Sequence, residues 1–141
     1  YRLSDIASAL GESQMKKLNY FLDQRRKIAG YYRESLNDFK AVKLPPDHPG
    51  HAYHLFPIWV DPEIRRRVFE FLRSSGIGVQ VHYIPLHFHS YYSEKFGYKR
   101  GDFPNAERFS AGEISLPIFP SMSERDVDYV VDKLQEAVKF Q

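Results

Sequence analysis

DPEIRRRVFEFLRSSGIGVQVHYIP, residues 61–85, passes from a helical pattern to a strand pattern, and its reading decides the fold class. Asp61 is a good N-cap residue, and Pro62 suits the first helical position, where its missing N–H is not needed. Ile64, Val68, Phe71 and Leu72 recur at helical spacing and predict one buried stripe. Ser74-Ser75-Gly76 ends that helix. From Ile77 to Ile84 the period shortens to near alternation, which predicts a strand, and Pro85 stops it because proline cannot donate to a ladder.

The flanking segments fit the same pattern. His51 to Val60 predicts a strand, with Pro57 at an edge or a bulge. The turn-rich connector Leu44–Gly50 leads into it. A short helix is expected near Tyr91–Phe96, and Asp102-Phe103-Pro104 opens another that runs to about Ile114. Ser115 to Met122 predicts a short strand flanked by prolines. Ser123-Glu124-Arg125-Asp126 has the form of a capping box ahead of Val127, Val130, Val131, Leu134 and Ala137 at helical spacing. The expected fold is α+β: a small, mostly antiparallel three-stranded sheet covered by helices.

A long N-terminal helix precedes this unit. Leu3, Ile6, Leu10, Leu18, Phe21, Ile28, Tyr32 and Leu36 keep one helical phase. Ser4 caps the start, Asp5 favours the helix dipole, and Gly11 interrupts the pattern without forcing two helices. At about 1.5 Å per residue the helix would run roughly 50 Å, more than a domain this size needs. The expected organisation is a linking helix over residues 1–37 and a small domain over 38–141. A chain that opens on YRLSDI, with no charged and apolar leader, reads as cut from something longer.

Composition excludes several classes. The 141 residues are 43% hydrophobic and 27% charged, ordinary for one globular domain. With no cysteine, disulfides, zinc–thiolate sites and cysteine nucleophiles are out, and a cytoplasmic location fits. No run of about 18 apolar residues is present to span a membrane. The net charge is +2, and the clusters Gln24–Lys27 and Arg65–Arg67 fall on helical patterns as solvated faces. Nucleic-acid binding wants a wider basic surface.

HYIPLHFHSYY, residues 82–92, holds three histidines and four aromatic residues. A metal site is disfavoured, because spacings of five and two without a nearby acid or cysteine do not match a structural zinc set. A catalytic triad lacks a serine in a G-x-S-x-G setting. Core or surface histidines are the plain alternative. A loop that offers flat aromatic faces with polar tips suits sugar rings and other half-polar ligands better.

Several ordered motifs carry a family resemblance. Tyr1 to Gly11 with Gln14 and Leu18 is similar to N-Y-R-x-(S/T)-(D/E)-x-x-A-A-x-G-x-x-Q-L. Gly76 to His87 resembles G-I-x-x-x-x-H-Y-x-P-L-H, and Glu113 to Met122 resembles a closing motif. Together they resemble the C-terminal domain of the DegT/DnrJ/StrS sugar aminotransferases, pyridoxal-phosphate enzymes of fold type I. The resemblance implies a complete enzyme, a homodimer, that moves an amino group from glutamate to a nucleotide-linked keto sugar. Such enzymes serve spore or surface polysaccharide, lipopolysaccharide or glycan biosynthesis.

The resemblance also implies which residues matter. His82, Tyr83 and His87 are the expected substrate wall, and Arg2 an expected contact to the cofactor phosphate or another anion. The Schiff-base lysine belongs to the large pyridoxal-phosphate domain, outside this chain, and no lysine present sits in an apolar setting that would lower its pKa. No catalytic residue, metal ligand or bound cofactor is therefore expected in the chain itself, which alone should be inactive. The rival from another class is a non-catalytic α+β binding or dimerisation module, or a regulatory member of the same family.

Overall fold

The computed structural model describes residues 2–139. Among the described residues, six α-helices and a two-stranded antiparallel sheet form the α+β unit. Helix α1 spans Asp5–Met15 and α2 spans Leu18–Leu36. Strand β1 (Phe56–Trp59) leads to α3 (Pro62–Ser74), and a 3-10 turn, Leu86–Phe88, precedes α4 (Ser90–Phe96). Helix α5 (Pro104–Gly112) runs directly into β2 (Glu113–Leu116), and α6 (Glu124–Lys139) closes the chain.

Local signals set most boundaries. The Asp61 carboxylate accepts the Glu63 N–H at 2.9 Å, with Pro62 in the first turn. Ser123 and Asp126 form a reciprocal box: the Asp126 carboxylate accepts the Ser123 N–H at 2.8 Å, and the Ser123 hydroxyl accepts the Asp126 N–H at 3.3 Å. Ser4 caps α1 by accepting the Ala7 N–H at 3.3 Å.

The long leading helix is two helices. The break falls at Lys16–Lys17 and not at Gly11. There the Lys17 N–H bonds Gln14 O at 3.0 Å, a tightened turn that ends α1. No residue of α1 is buried, so no packing holds the two segments in line, whereas α2 buries Ile28, Ala29, Tyr32 and Leu36.

The sheet has two strands, not three. β1 and β2 pair with Phe56 opposite Leu116 and Trp59 opposite Glu113. The Ile77–Ile84 segment lies along the other edge of β2 but makes one bridge only, Gln80 to Ser115. The ladder stops because the next N–H, that of His82, is taken by the Glu113 side chain at 2.7 Å.

The core lies between this sheet and α2, α3 and α6. Phe56, Ile58, Ile114, Val68, Leu72 and Leu134 are fully enclosed. Tyr32 stacks on Phe56 at 5.0 Å and donates its hydroxyl to Pro117 O at 3.0 Å. Burial pushes that phenol far above its ordinary pKa. Arg25, within the cluster read as a solvated face, is structural: its Nη1 donates to Tyr53 O at 3.0 Å, His54 O at 3.2 Å and Ile118 O at 2.8 Å. That one guanidinium ties α2 to the segments entering β1 and leaving β2, at one end of the sheet.

Candidate functional site

The site forms where the ladder ends. Gln80 and Ser115 exchange both backbone bonds, at 3.2 and 2.8 Å. In antiparallel register the following pair is His82 and Glu113. Glu113 Oε2 accepts the His82 backbone N–H at 2.7 Å, and Glu113 Oε1 accepts the Ser115 hydroxyl at 2.6 Å. The same hydroxyl lies 2.9 Å from His82 Nδ1. Glu113 is 0% and Ser115 3% exposed, so an acid and a hydroxyl are sealed beneath the imidazole.

Period-2 alternation explains the placement. In Glu113-Ile114-Ser115-Leu116, Ile114 and Leu116 take one face of β2 and the two polar residues take the other. The His82–Tyr83 peptide is cis. The Tyr83 ring meets His82 edge-on at 4.7 Å and is 72% exposed. Its carbonyl accepts the Ser110 hydroxyl at 3.1 Å, which fastens the segment to α5. Tyr83, Ile84, Leu86 and His89 rim an open cleft of about 480 Å³ whose floor includes Phe69.

His87 faces the other way. It is 6% exposed, and its Nε2 lies 2.9 Å from Glu107 Oε1. Phe88 and Phe103 flank its ring at 4.3 and 4.8 Å. Glu107 also accepts N–H bonds from Gly101 at 2.8 Å and Phe103 at 3.4 Å. Burial pulls the Glu107 carboxyl upward, but these donors outweigh it and hold its pKa below the ordinary carboxylate value. The histidines that sit together in the sequence thus have different partners, His82 on the Glu113–Ser115 pair and His87 latched to Glu107.

Arg2 is exposed ahead of the α1 cap and bonds no described residue. Among the described residues no group of three or more His, Asp or Glu side chains is arranged to hold a metal ion. No lysine is buried. Lys133, the least exposed, has its pKa raised by its bond to Glu136, opposite to what an amine nucleophile needs.

A larger groove of about 940 Å³ lies apart, between the Lys43–His51 connector, Trp59 and α5. It includes none of the 82–89 residues. Sequence reasoning missed Glu113, Ser115 and Glu107. The alternation of polar and apolar residues over 113–116 was the signal for the first two; nothing local marks Glu107, whose role depends on a loop folding back.

Comparison with known proteins adds to this geometry. Residues 1–135 match the model of the DegT/DnrJ/EryC1/StrS aminotransferase family. The spore coat polysaccharide biosynthesis protein SpsC of Bacillus subtilis is 38% identical over 142 residues, covering 96% of this chain and 36% of that protein. A UDP-4-amino-4,6-dideoxy-N-acetyl-beta-L-altrosamine transaminase of Campylobacter jejuni is 38% identical over 140 residues, covering 95% of this chain and 36% of its own. Among solved structures, Helicobacter pylori PseC, an aminotransferase involved in the biosynthesis of pseudoaminic acid, superposes with a TM-score of 0.91 at 28% identity, covering 99% of this chain and 38% of that one. The chain spans little more than a third of the length of these relatives.

Proposed function

Because this chain belongs to the DegT/DnrJ/EryC1/StrS aminotransferase family, we propose that it is the C-terminal small domain of a pyridoxal-phosphate enzyme that transfers an amino group from glutamate to a nucleotide-linked keto sugar. The observation that carries this reading is the match over residues 1–135. The relatives' names support a role in polysaccharide or amino-sugar synthesis. When bound, the cofactor supplies the electron sink for amino transfer. The lysines of this chain are exposed or ion-paired and do not fit the part of its covalent anchor, which the proposal assigns to the rest of the enzyme.

This chain's share is the substrate wall. His82 and Tyr83 present an imidazole edge and an open aromatic face to the sugar, while His87 holds the wall from behind through Glu107. To Arg2, exposed ahead of the α1 cap, the proposal gives the contact to an anion, the cofactor phosphate included. The enzyme works in the cytoplasm as a homodimer, a reading favoured by the exposed Ile6 and Leu10 of α1 and Leu3 just ahead of it. The same exposure is what favours the rival reading, a dimerisation module without chemistry.

The test is amino transfer by the complete enzyme. With glutamate, pyridoxal phosphate and a panel of nucleotide-linked keto sugars, the expected result is 2-oxoglutarate release that depends on the keto sugar, with an amino sugar seen by mass spectrometry. No release with any keto sugar of the panel, from protein that has bound the cofactor, refutes the enzyme reading and leaves the module. His82→Ala should reduce kcat/KM by up to roughly tenfold, the value of one lost hydrogen bond, without altering the cofactor's absorbance.

A further inference from the structure

We propose that Glu113 and Ser115 are positioning residues that fix His82 as its Nδ1–H tautomer, so that Nε2 presents a lone pair to a hydroxyl of the bound sugar. The tautomer part stands on geometry alone; its assignment to a sugar rests on the function proposed above.

A backbone N–H can only donate, so Glu113 Oε2 is an acceptor toward His82, at 2.7 Å. Ser115 has one hydroxyl proton, and it points to Glu113 Oε1 at 2.6 Å. Its oxygen is then left only as an acceptor toward His82 Nδ1, 2.9 Å away. With Glu113 as the carboxylate, Nδ1 therefore carries the proton, and in a neutral imidazole Nε2 does not. No described residue bonds Nε2.

The setting is one that a fold does not need for itself. A carboxyl at 0% exposure in β2 is costly to bury, and among the described residues no lysine or arginine pairs with it. A backbone ladder with an apolar side chain at 113 would satisfy the same His82 N–H without that cost. The backbone of Ser115 is pinned on both sides, by Gln80 and by β1, so the hydroxyl cannot drift away from the ring. Fully satisfied buried networks of this kind specify one arrangement.

Ring-15N-histidine labelling of the chain with long-range proton–nitrogen correlation reads each tautomer, and His82→Gln identifies the His82 signals. The expected native result is a protonated Nδ1 and a bare Nε2. Glu113→Gln keeps the shape but reverses the relay. Its carbonyl still accepts the His82 N–H, its amide donates to Ser115, and the hydroxyl proton turns to Nδ1, so His82 should carry its proton on Nε2.

Ser115→Ala should also release the tautomer, and Ser115→Thr should restore it; these two decide the matter if Glu113→Gln does not fold. A native His82 protonated on Nε2, or an Nδ1–H form that survives Ser115→Ala, overturns the relay. In the complete enzyme Glu113→Gln should raise the keto-sugar KM by up to roughly tenfold with the cofactor absorbance intact. A reversed tautomer with unchanged KM overturns the assignment of the lone pair to the sugar. Absence of all amino transfer in the unaltered enzyme refutes the function reading instead, and leaves the tautomer result standing.

Discussion

Gly112 shows how tightly the junction of α5 and β2 is built. A Cβ at this position would collide with the Val60 carbonyl oxygen and the Trp59 indole. Neither can yield easily, because Val60 N–H bonds Gly112 O at 3.0 Å and the Trp59 indole donates to Arg108 O at 3.0 Å. Gly112→Ala should therefore cost about 2–3 kcal/mol, the penalty of overpacking, read as a lower denaturation midpoint with unchanged m. His87→Ala should cost a similar amount, about 2 kcal/mol, since a buried ring leaves a cavity between Phe88 and Phe103. His82→Ala, on a half-buried ring, should cost clearly less in the same titration. Equal losses for the two histidines would argue against their separate roles. The sequence places both in one short segment, and only the fold of the turn over 97–103, which brings Glu107 of α5 to His87, separates them.

At the scale of elements, capping chemistry was the most legible feature. Asp61 and Ser123 start α3 and α6 as their spacing predicts, because a cap depends on residues within one turn. Ser123→Ala should destabilise the protein by about 1 kcal/mol. The Ser123 hydroxyl, then its backbone N–H, hold the Asp126 carboxyl below its ordinary value of 3.8. A depressed pKa in the folded state adds stability above pH 3.8, which is lost as pH falls through the lower folded value. Asp126→Asn should flatten that acid limb of the Tm-versus-pH curve, and an unchanged limb would refute the capping role. What depends on distant partners was not legible. Alternation over Ile77–Ile84 is a correct sign of extended chain beside β2, but it cannot show that a carboxylate will take the next ladder donor. The continuous stripe of Leu3–Leu36 likewise cannot show which of its turns finds something to pack on.

That difference sets the behaviour of the whole molecule. α2 is held by Arg25, by the Tyr32–Phe56 stack and by packing on α6, while α1 buries nothing. Ile6 and Leu10, one turn apart on the 11-residue α1, are 85% and 62% exposed, and Leu3 just ahead of the helix is 71% exposed. A helix shorter than about 12–15 residues is marginal in water, and a contiguous exposed apolar stripe favours association. The two effects are coupled: α1 gains order when its stripe is covered, so its folding and its docking should appear together. Sedimentation of the 141-residue chain should show dimers or larger species that grow with concentration. Under the same conditions the amides of α1 should pass from fast to slower hydrogen exchange, while those of α6 stay protected throughout. Ile6→Glu combined with Leu10→Glu should leave a monomer with fast-exchanging α1 and an unchanged core Tm, because neither side chain touches the core. A strict monomer in the unaltered chain, or association that survives both substitutions, would place the adhesive surface elsewhere, with the exposed Tyr83–Leu86 rim the next to test.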